Sequence, residues 1–541
     1  MSDDERHAGA ETASGAAVSG AAVSGPSTRP GQGPPAPPQP GAAQVGVLPA
    51  PAVGPALALP RPPGRLETAM ADFWRDRAVP LGRGHLVAVA SVGVLAGAAL
   101  VGNRIGLGMT LVGLGALATA APALLRRRAV ADLLTLALSG ALLVMVSVRA
   151  ADWVVALCLL AAAGAAAAAL TGARRPSAVL LAPLVAGLGT LRAVTAVRRG
   201  LGVLAGSRRE SLVVVLRSVL ITVLLVGAFG ALFASADAVF ASLIPRVDIG
   251  LLPGRLVVGL LVAVLVAGAA HLSIAPVRWP STSGGPQRRG ARPGEWLLPI
   301  VALDVVVLAF VLVQVGALIG GHDFVLRTAG MTYAGYAREG FGQLVAVTVL
   351  SLAVVALAAR WAPRATSSHR RWSSLALGLL CVGTLGVVAS AVRRMVLYVD
   401  AFGLTRLRIT VLTAEIALGV VFLLVLVAGV RWRAAWLPRA VVQVAAVAVL
   451  SLAAINPDAL IVQRNAHLDP GAADTRVTGV DVSYLQGLSA DAVPAAAGLD
   501  EPLRSQVLAG LEVPAPDGWA GWNLGRARAV STLDGQGEAT P

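Results

Sequence analysis

The chain has 541 residues, of which 56% are hydrophobic and 13% charged, with a mean hydropathy of +0.75. A soluble domain carries about 25% charged residues, so composition excludes an ordinary soluble protein and points to the polytopic membrane class. All 44 basic residues are arginine, which excludes P-loop, protein-kinase and Schiff-base lysine chemistry. The net charge of +15 reads as loop arginines that orient membrane spans, not as a nucleic-acid footprint.

Residues 1–64 are Ala-, Gly-, Ser- and Pro-rich, with "GAAVSGAAVSG" followed by "RPGQGPPAPPQPG". Too little apolar bulk is present to offset ordering entropy, so a disordered cytoplasmic tail is predicted. It lacks the basic start and apolar run of a signal peptide, which leaves the first span as the expected targeting signal.

The 85–456 region is predicted to be an all-α polytopic membrane bundle. Apolar runs near 86–102, 105–125, 129–148, 152–171, 218–236, 256–275, 296–320, 341–359, 374–392, 409–430 and 438–456 give about 11 transmembrane helices. Several are only 17 to 20 residues long, near the minimum for a hydrocarbon core of ~30 Å at 1.5 Å per residue. One stretch, 178–197, is apolar for only part of its length before Arg192 interrupts it. It reads as an interfacial or re-entrant helix, or else as a further span that would move every later loop to the other side. With the N-terminus inside, the inner segments hold 27 arginines and the outer loops 10. That asymmetry predicts a bacterial plasma-membrane protein with its N-terminus in the cytoplasm and its C-terminus outside.

Residues 457–541 change character, with 11 acids and 5 arginines. They read as a small extracytoplasmic segment with short helices. Trp519 and Trp522 either anchor it at the interface or form a core pair. Cys158 and Cys381 lie inside apolar runs and read as buried thiols. With 60 glycines, small-xxx-small matches such as Gly93 and Gly97 are expected by chance and suggest close helix packing at most. The six histidines are scattered, HExxH, GxSxG and GxGxxG are absent, and no metal or other cofactor is expected.

Polar residues inside the spans are the first functional candidates. Asp304 sits about 12 Å into its span, where a carboxylate costs at least ~2.5–3.5 kcal/mol and needs a partner or a proton. It reads as an ion or proton relay, or as an interhelical lock. Gln314 lies on a neighbouring face of the same helix, and Glu415 follows Arg408 by two turns. Asp132, after three arginines at a helix start, reads as charge and dipole compensation.

The second group lies in two loops placed on one side of the membrane, "TYAGYAREGFGQL" and "RRMVLYVDAFGLTRLR". They supply Arg338, Arg393, Arg394, Arg406 and Arg408 as an anion-binding set, supported by Tyr333, Tyr336, Glu339, Tyr398 and Asp400. Guanidinium groups grip phosphate or carboxylate with two bonds at once. An anionic lipid headgroup or envelope precursor is the expected ligand, and salt bridges between loops are the alternative.

These two stretches resemble signatures of a bacterial polytopic membrane family, domain of unknown function 4173. "FASADAVF", "NPDALIVQRN", "YLQGLSADAVPA" and "WNLGRARA" add to the resemblance, which covers roughly residues 80 to 530. "TYAGYAR" departs from it with Gly335 where an acid is expected. The resemblance implies an integral membrane protein and transfers no catalytic residue. The function it leaves open is a non-enzymatic transporter-like protein or partner of envelope machinery. Alternatives are an enzyme acting on a lipid-linked phosphate and a sensor or scaffold.

Overall fold

A computed structural model describes residues 65–75, 79–206, 209–237, 249–279, 293–329, 341–361, 367–431, 434–467, 480–515 and 518–537. All regular structure among them is helical. The predicted tail, residues 1–64, and the loop carrying Tyr333, Tyr336, Arg338 and Glu339 lie outside the described residues.

In chain order the helices begin with α1 (Arg65–Arg75), α2 (Arg83–Leu100), α3 (Leu107–Arg126), α4 (Val130–Val148), α5 (Asp152–Thr171) and α6 (Pro176–Ala205). They continue with α7 (Arg209–Ala236), α8 (Leu252–Ile274), α9 (Pro293–Ala329), α10 (Phe341–Trp361), α11 (Ser367–Phe402), α12 (Arg406–Arg431) and α13 (Leu437–Ala454). Beyond these come the short helices α14 (Pro457–Ala466), α15 (Val482–Gln486), α16 (Val493–Ala496), α17 (Leu503–Gly510) and α18 (Leu524–Gly537). Among the described residues, eleven helices are long and apolar enough to cross a membrane: α2–α6 and α8–α13.

Two groups of helices make the bundle. The first comprises α2, α3, α4, α5, α8 and α13; the second comprises α9, α10, α11 and α12, and the two meet along α12 and α13. Lipid tails are as apolar as leucine, so the helices associate through close packing at small residues. A Cβ added at Gly97 would stand 2.5 Å from the Arg255 carbonyl oxygen, and one at Gly93 2.9 Å from that of Gly259. Gly93 and Gly97, matches the sequence alone could not tell from chance, thus lie in the antiparallel seam between α2 and α8.

Length and apolarity alone count α6 as a span, but its contacts place it across the helix ends. Ala178 and Ala182 near its start pack with Ala167, Ala168 and Ala173 at the end of α5. Arg192 in its middle donates to the carbonyl of Ala275 just past α8 (3.2 Å), and the Ala196 carbonyl accepts from Leu81 N just before α2 (3.3 Å). These partners all lie at one end of the bundle, where Arg127 also bonds the Ile274 carbonyl. Leu180, Leu184, Leu188 and Leu191 line its exposed outer side, as an interfacial helix requires. Leu251 and Gly254, at the start of α8, lie beside Gly102 and Val101 at the other end. The eleven long apolar helices thus include α6 and not α7, whereas the sequence alone reads 218–236 as a span and 178–197 as interfacial or re-entrant.

Residues from Pro457 onward fold onto the end of the bundle opposite α6. One apolar cluster joins Met395, Val399, Leu404 and Ile409 of the α11–α12 turn to Ile461, Val462, Leu485, Leu488, Val493 and Val507. Taking each such Leu, Ile or Val out of water contributes roughly 1.5–3 kcal/mol of hydrophobic stabilisation. The segment after 456 shares one core with the bundle and forms a cap on it.

Candidate functional site at the capped face

Helices leave backbone groups without partners at their ends, and the cap supplies many of them. Leu107 N and Gly108 N at the start of α3 donate to the carbonyls of Trp522 (2.9 Å) and Ala520 (2.7 Å). Trp519 and Trp522 are themselves exposed, so they are not a core pair. Asn523 Nδ2 donates to the carbonyls of Val146 (3.1 Å) and Arg149 (2.8 Å) at the end of α4. Asp491 Oδ2 accepts from Ala150 N (2.7 Å) and Ala151 N (3.0 Å) before α5. Arg149 donates to the carbonyls of Ala453 (2.5 Å) and Ala454 (2.7 Å), a cation at the C-terminal end of α13.

Asp458 is the most heavily bonded side chain of this junction. It is fully buried and meets Arg406 through Nε–Oδ1 at 3.0 Å and Nη2–Oδ2 at 2.7 Å. It also accepts from Trp153 Nε1 (3.3 Å) and Ser489 N (2.9 Å). Burial pushes its carboxyl up, but the Arg406 and Ser489 bonds together hold it below the ordinary value of 3.8. Asp491 goes the other way: burial raises it against the pull of the Ala151 and Ala150 N–H groups and of Arg149. Gly525 is pressed against Asp491 Oδ1 and leaves no room there for a side chain.

The α11–α12 turn is built for this junction. Gly403 takes φ +78°, the left-handed region a glycine enters without strain. Arg408 folds back onto the carbonyls of Phe402 and Gly403 and lies 4.1 Å from the Tyr398 ring centroid. Asn465 holds both backbone groups of Leu404, accepting from N (2.7 Å) and donating to O (3.0 Å). Arg406 N donates to the Tyr484 hydroxyl (2.9 Å), and Arg464 pairs with Asp400 (3.2 Å). Asn456, at φ +53°, starts α14 by accepting from Ala459 N (3.4 Å) and donates to the Asp491 carbonyl (3.2 Å).

Beside the Arg406–Asp458 pair lies a cavity of about 710 Å³. Asn103, Arg104 and Ile105 of the α2–α3 loop form one wall, and Asp152 and Trp153 of α5 another. Arg406 closes the bundle side, while Ser489, Glu512 and Arg526 come from the cap. Three guanidinium groups and two carboxylates thus face one space. Arg526 is held there by the carbonyls of Ile105 (3.1 Å) and Gly521.

The sequence-predicted anion set is dispersed. Arg406 lines the cavity, Arg408 covers the end of α11, and Arg393 is exposed. Arg394 reaches inward to Gln314 Oε1 (3.2 Å), which also accepts from Ser390 Oγ (2.8 Å). Arg104, Trp153 and Arg526 were not singled out by sequence reasoning. Arg526 carried a signal in "WNLGRARA", and Arg104 in being an arginine on a short loop of the arginine-poor side.

Away from the cap, Asp304 and Glu415 are buried in the second helix group. Asp304 Oδ1 and both Glu415 oxygens have no hydrogen-bond partner among the described residues. Asp132 pairs with Arg439 across helices at 2.5 Å, a longer-range role than local charge compensation. The described residues hold no group of three or more His, Cys, Asp or Glu side chains arranged for a metal ion.

Fold and site together define an all-α, multi-pass membrane protein with a folded C-terminal cap over one end of its bundle. A family model matches residues 134–499, two thirds of the chain, and the chain belongs to that family, the domain of unknown function DUF4153. The resemblance to domain of unknown function 4173 is corrected by this match: the class was right and the family was not. No curated protein and no solved structure matches the chain.

Proposed function

We propose that this is a non-enzymatic protein of the bacterial plasma membrane, transporter-like or a partner of envelope machinery, that holds an anionic ligand in the capped cavity. The ligand class is a lipid headgroup or envelope precursor bearing phosphate or carboxylate. The observation that carries this reading is the convergence of Arg104, Arg406 and Arg526, from three separated segments, on one cavity of about 710 Å³. That size suits a small polar ligand, and guanidinium groups suit its charge. The arginine asymmetry supports a cytoplasmic N-terminus and an outer cap.

Native mass spectrometry of the purified protein tests the reading. A co-purified anion should be lost on Arg104→Gln and kept on Arg393→Gln, because only the first side chain lines the cavity. Equal retention by both variants would overturn it.

A second reading, coupled transport, draws support from Asp304 and Glu415, because buried carboxylate oxygens left without hydrogen bonds inside a membrane are costly to keep. If Asp304→Asn and Glu415→Gln leave pH-driven flux into liposomes unchanged, transport through these groups is excluded.

A further inference from the structure

A second cavity, of about 250 Å³, opens at the end of the bundle away from the cap, between α10 and α12 and over α11. Its wall is apolar, with Val355, Leu377, Cys381, Val425 and Leu437, and it is widened by Gly378 and Gly429. A Cβ at either glycine would meet nothing within 4 Å. Along α11 it runs from Ser374 to Cys381, about 10 Å at 1.5 Å per residue. This is smaller than the ~300–1,000 Å³ typical of whole-ligand sites and long enough for part of an unbranched chain.

Two features at its mouth supply polarity. Arg370 and Arg371 precede Ser374 by four and three residues, so they stand one turn beyond it on the same helix face. Both are exposed, and neither forms an ion pair among the described residues. Trp372 beside them is 60% exposed, as suits an interfacial ring. An apolar cavity excludes water, and the adjoining bilayer offers acyl chains.

We infer that this cavity takes one acyl chain of an anionic phospholipid from that leaflet, with the phosphate held by Arg370 and Arg371. The inference is independent of the capped cavity, which lies at the other end of the bundle.

The test is native mass spectrometry of the protein released from nanodiscs of mixed phosphatidylglycerol and phosphatidylcholine. The native chain should retain phosphatidylglycerol in preference. Gly378→Leu and Gly429→Leu, which fill open space, should each lower that retention roughly tenfold. Arg370→Gln combined with Arg371→Gln should lower it about thirtyfold and lower phosphatidylcholine retention much less, because the choline cation offsets that lipid's phosphate charge. Equal retention of the two lipids by the native chain, or undiminished retention in both leucine variants, overturns the proposal.

Discussion

Arg406, at the first turn of α12, and Asp458, at the first turn of α14, form a two-bond ion pair with distances of 3.0 and 2.7 Å. It joins the bundle to its cap. Asp458 is fully buried while Arg406 keeps about a third of its side chain exposed, so the two halves of the pair are not equally expendable. Removing Arg406 strands a buried carboxylate, and breaking such a pair costs about 3–5 kcal/mol. Arg406→Ala should therefore lower the thermal midpoint more than Asp458→Asn does. Arg406→Lys should rescue little of the loss, because a lysine cannot supply the two-bond geometry.

Acid should loosen the cap. The folded Asp458 carboxyl lies below its ordinary 3.8, so it contributes stability that is fully present above 3.8 and is lost as pH falls through the depressed folded value. Pepsin cleavage within residues 457–541 should accelerate below pH 3.8 in the native chain. In Asp458→Asn the same cleavage should be fast already and change less with pH.

Asn465 is a second point of attachment. Its amide replaces the missing backbone partners of Leu404 on both sides, and a buried backbone group left unsatisfied costs roughly 1–3 kcal/mol. Asn465→Ala should destabilise the cap by about that amount. Asn465→Asp, which loses the donor and keeps the acceptor, should do no better, because it places a carboxylate against the Leu404 carbonyl. Hydrogen exchange at residues 404 and 461–462 measures both.

The α2–α8 seam should be sensitive to one methyl group. At Gly97 an added Cβ stands 2.5 Å from the Arg255 carbonyl oxygen, whereas at Gly164 it meets nothing within 4 Å. Gly97→Ala should cost about 1–3 kcal/mol, as overpacking does, and Gly164→Ala should cost almost nothing. Thermal unfolding in detergent, followed by the fraction remaining monodisperse, separates the two.

Much of the bundle was legible in the sequence because a spanning helix is a local solution. Its backbone satisfies itself, and its side chains need only be apolar for about 20 residues in a row. Ten of the eleven runs read from 86–102 to 438–456 coincide with long apolar helices for that reason, the exception being 218–236. Burial of Glu415 and Asp304 was readable for the same reason, from their depth in an apolar run. The sequence also marked 393–408 as unusual, though it could not say whether its arginines met an anion or one another.

Tertiary structure alone decided what those arginines touch. Arg406 finds Asp458 from 52 residues away, and Asn523 finds the Val146 carbonyl from 377 away. No local pattern encodes such pairings. A guanidinium can satisfy many partners, and the one it takes depends on which loop is folded over it. The placement of α6 is of the same kind: its composition is compatible with a span, and only its contacts at the ends of α5, α8 and α2 lay it across them. Hydrophobicity along the chain marked which segments are long and apolar enough to enter the membrane. Helix-end capping between distant segments determined the capped face and its cavity.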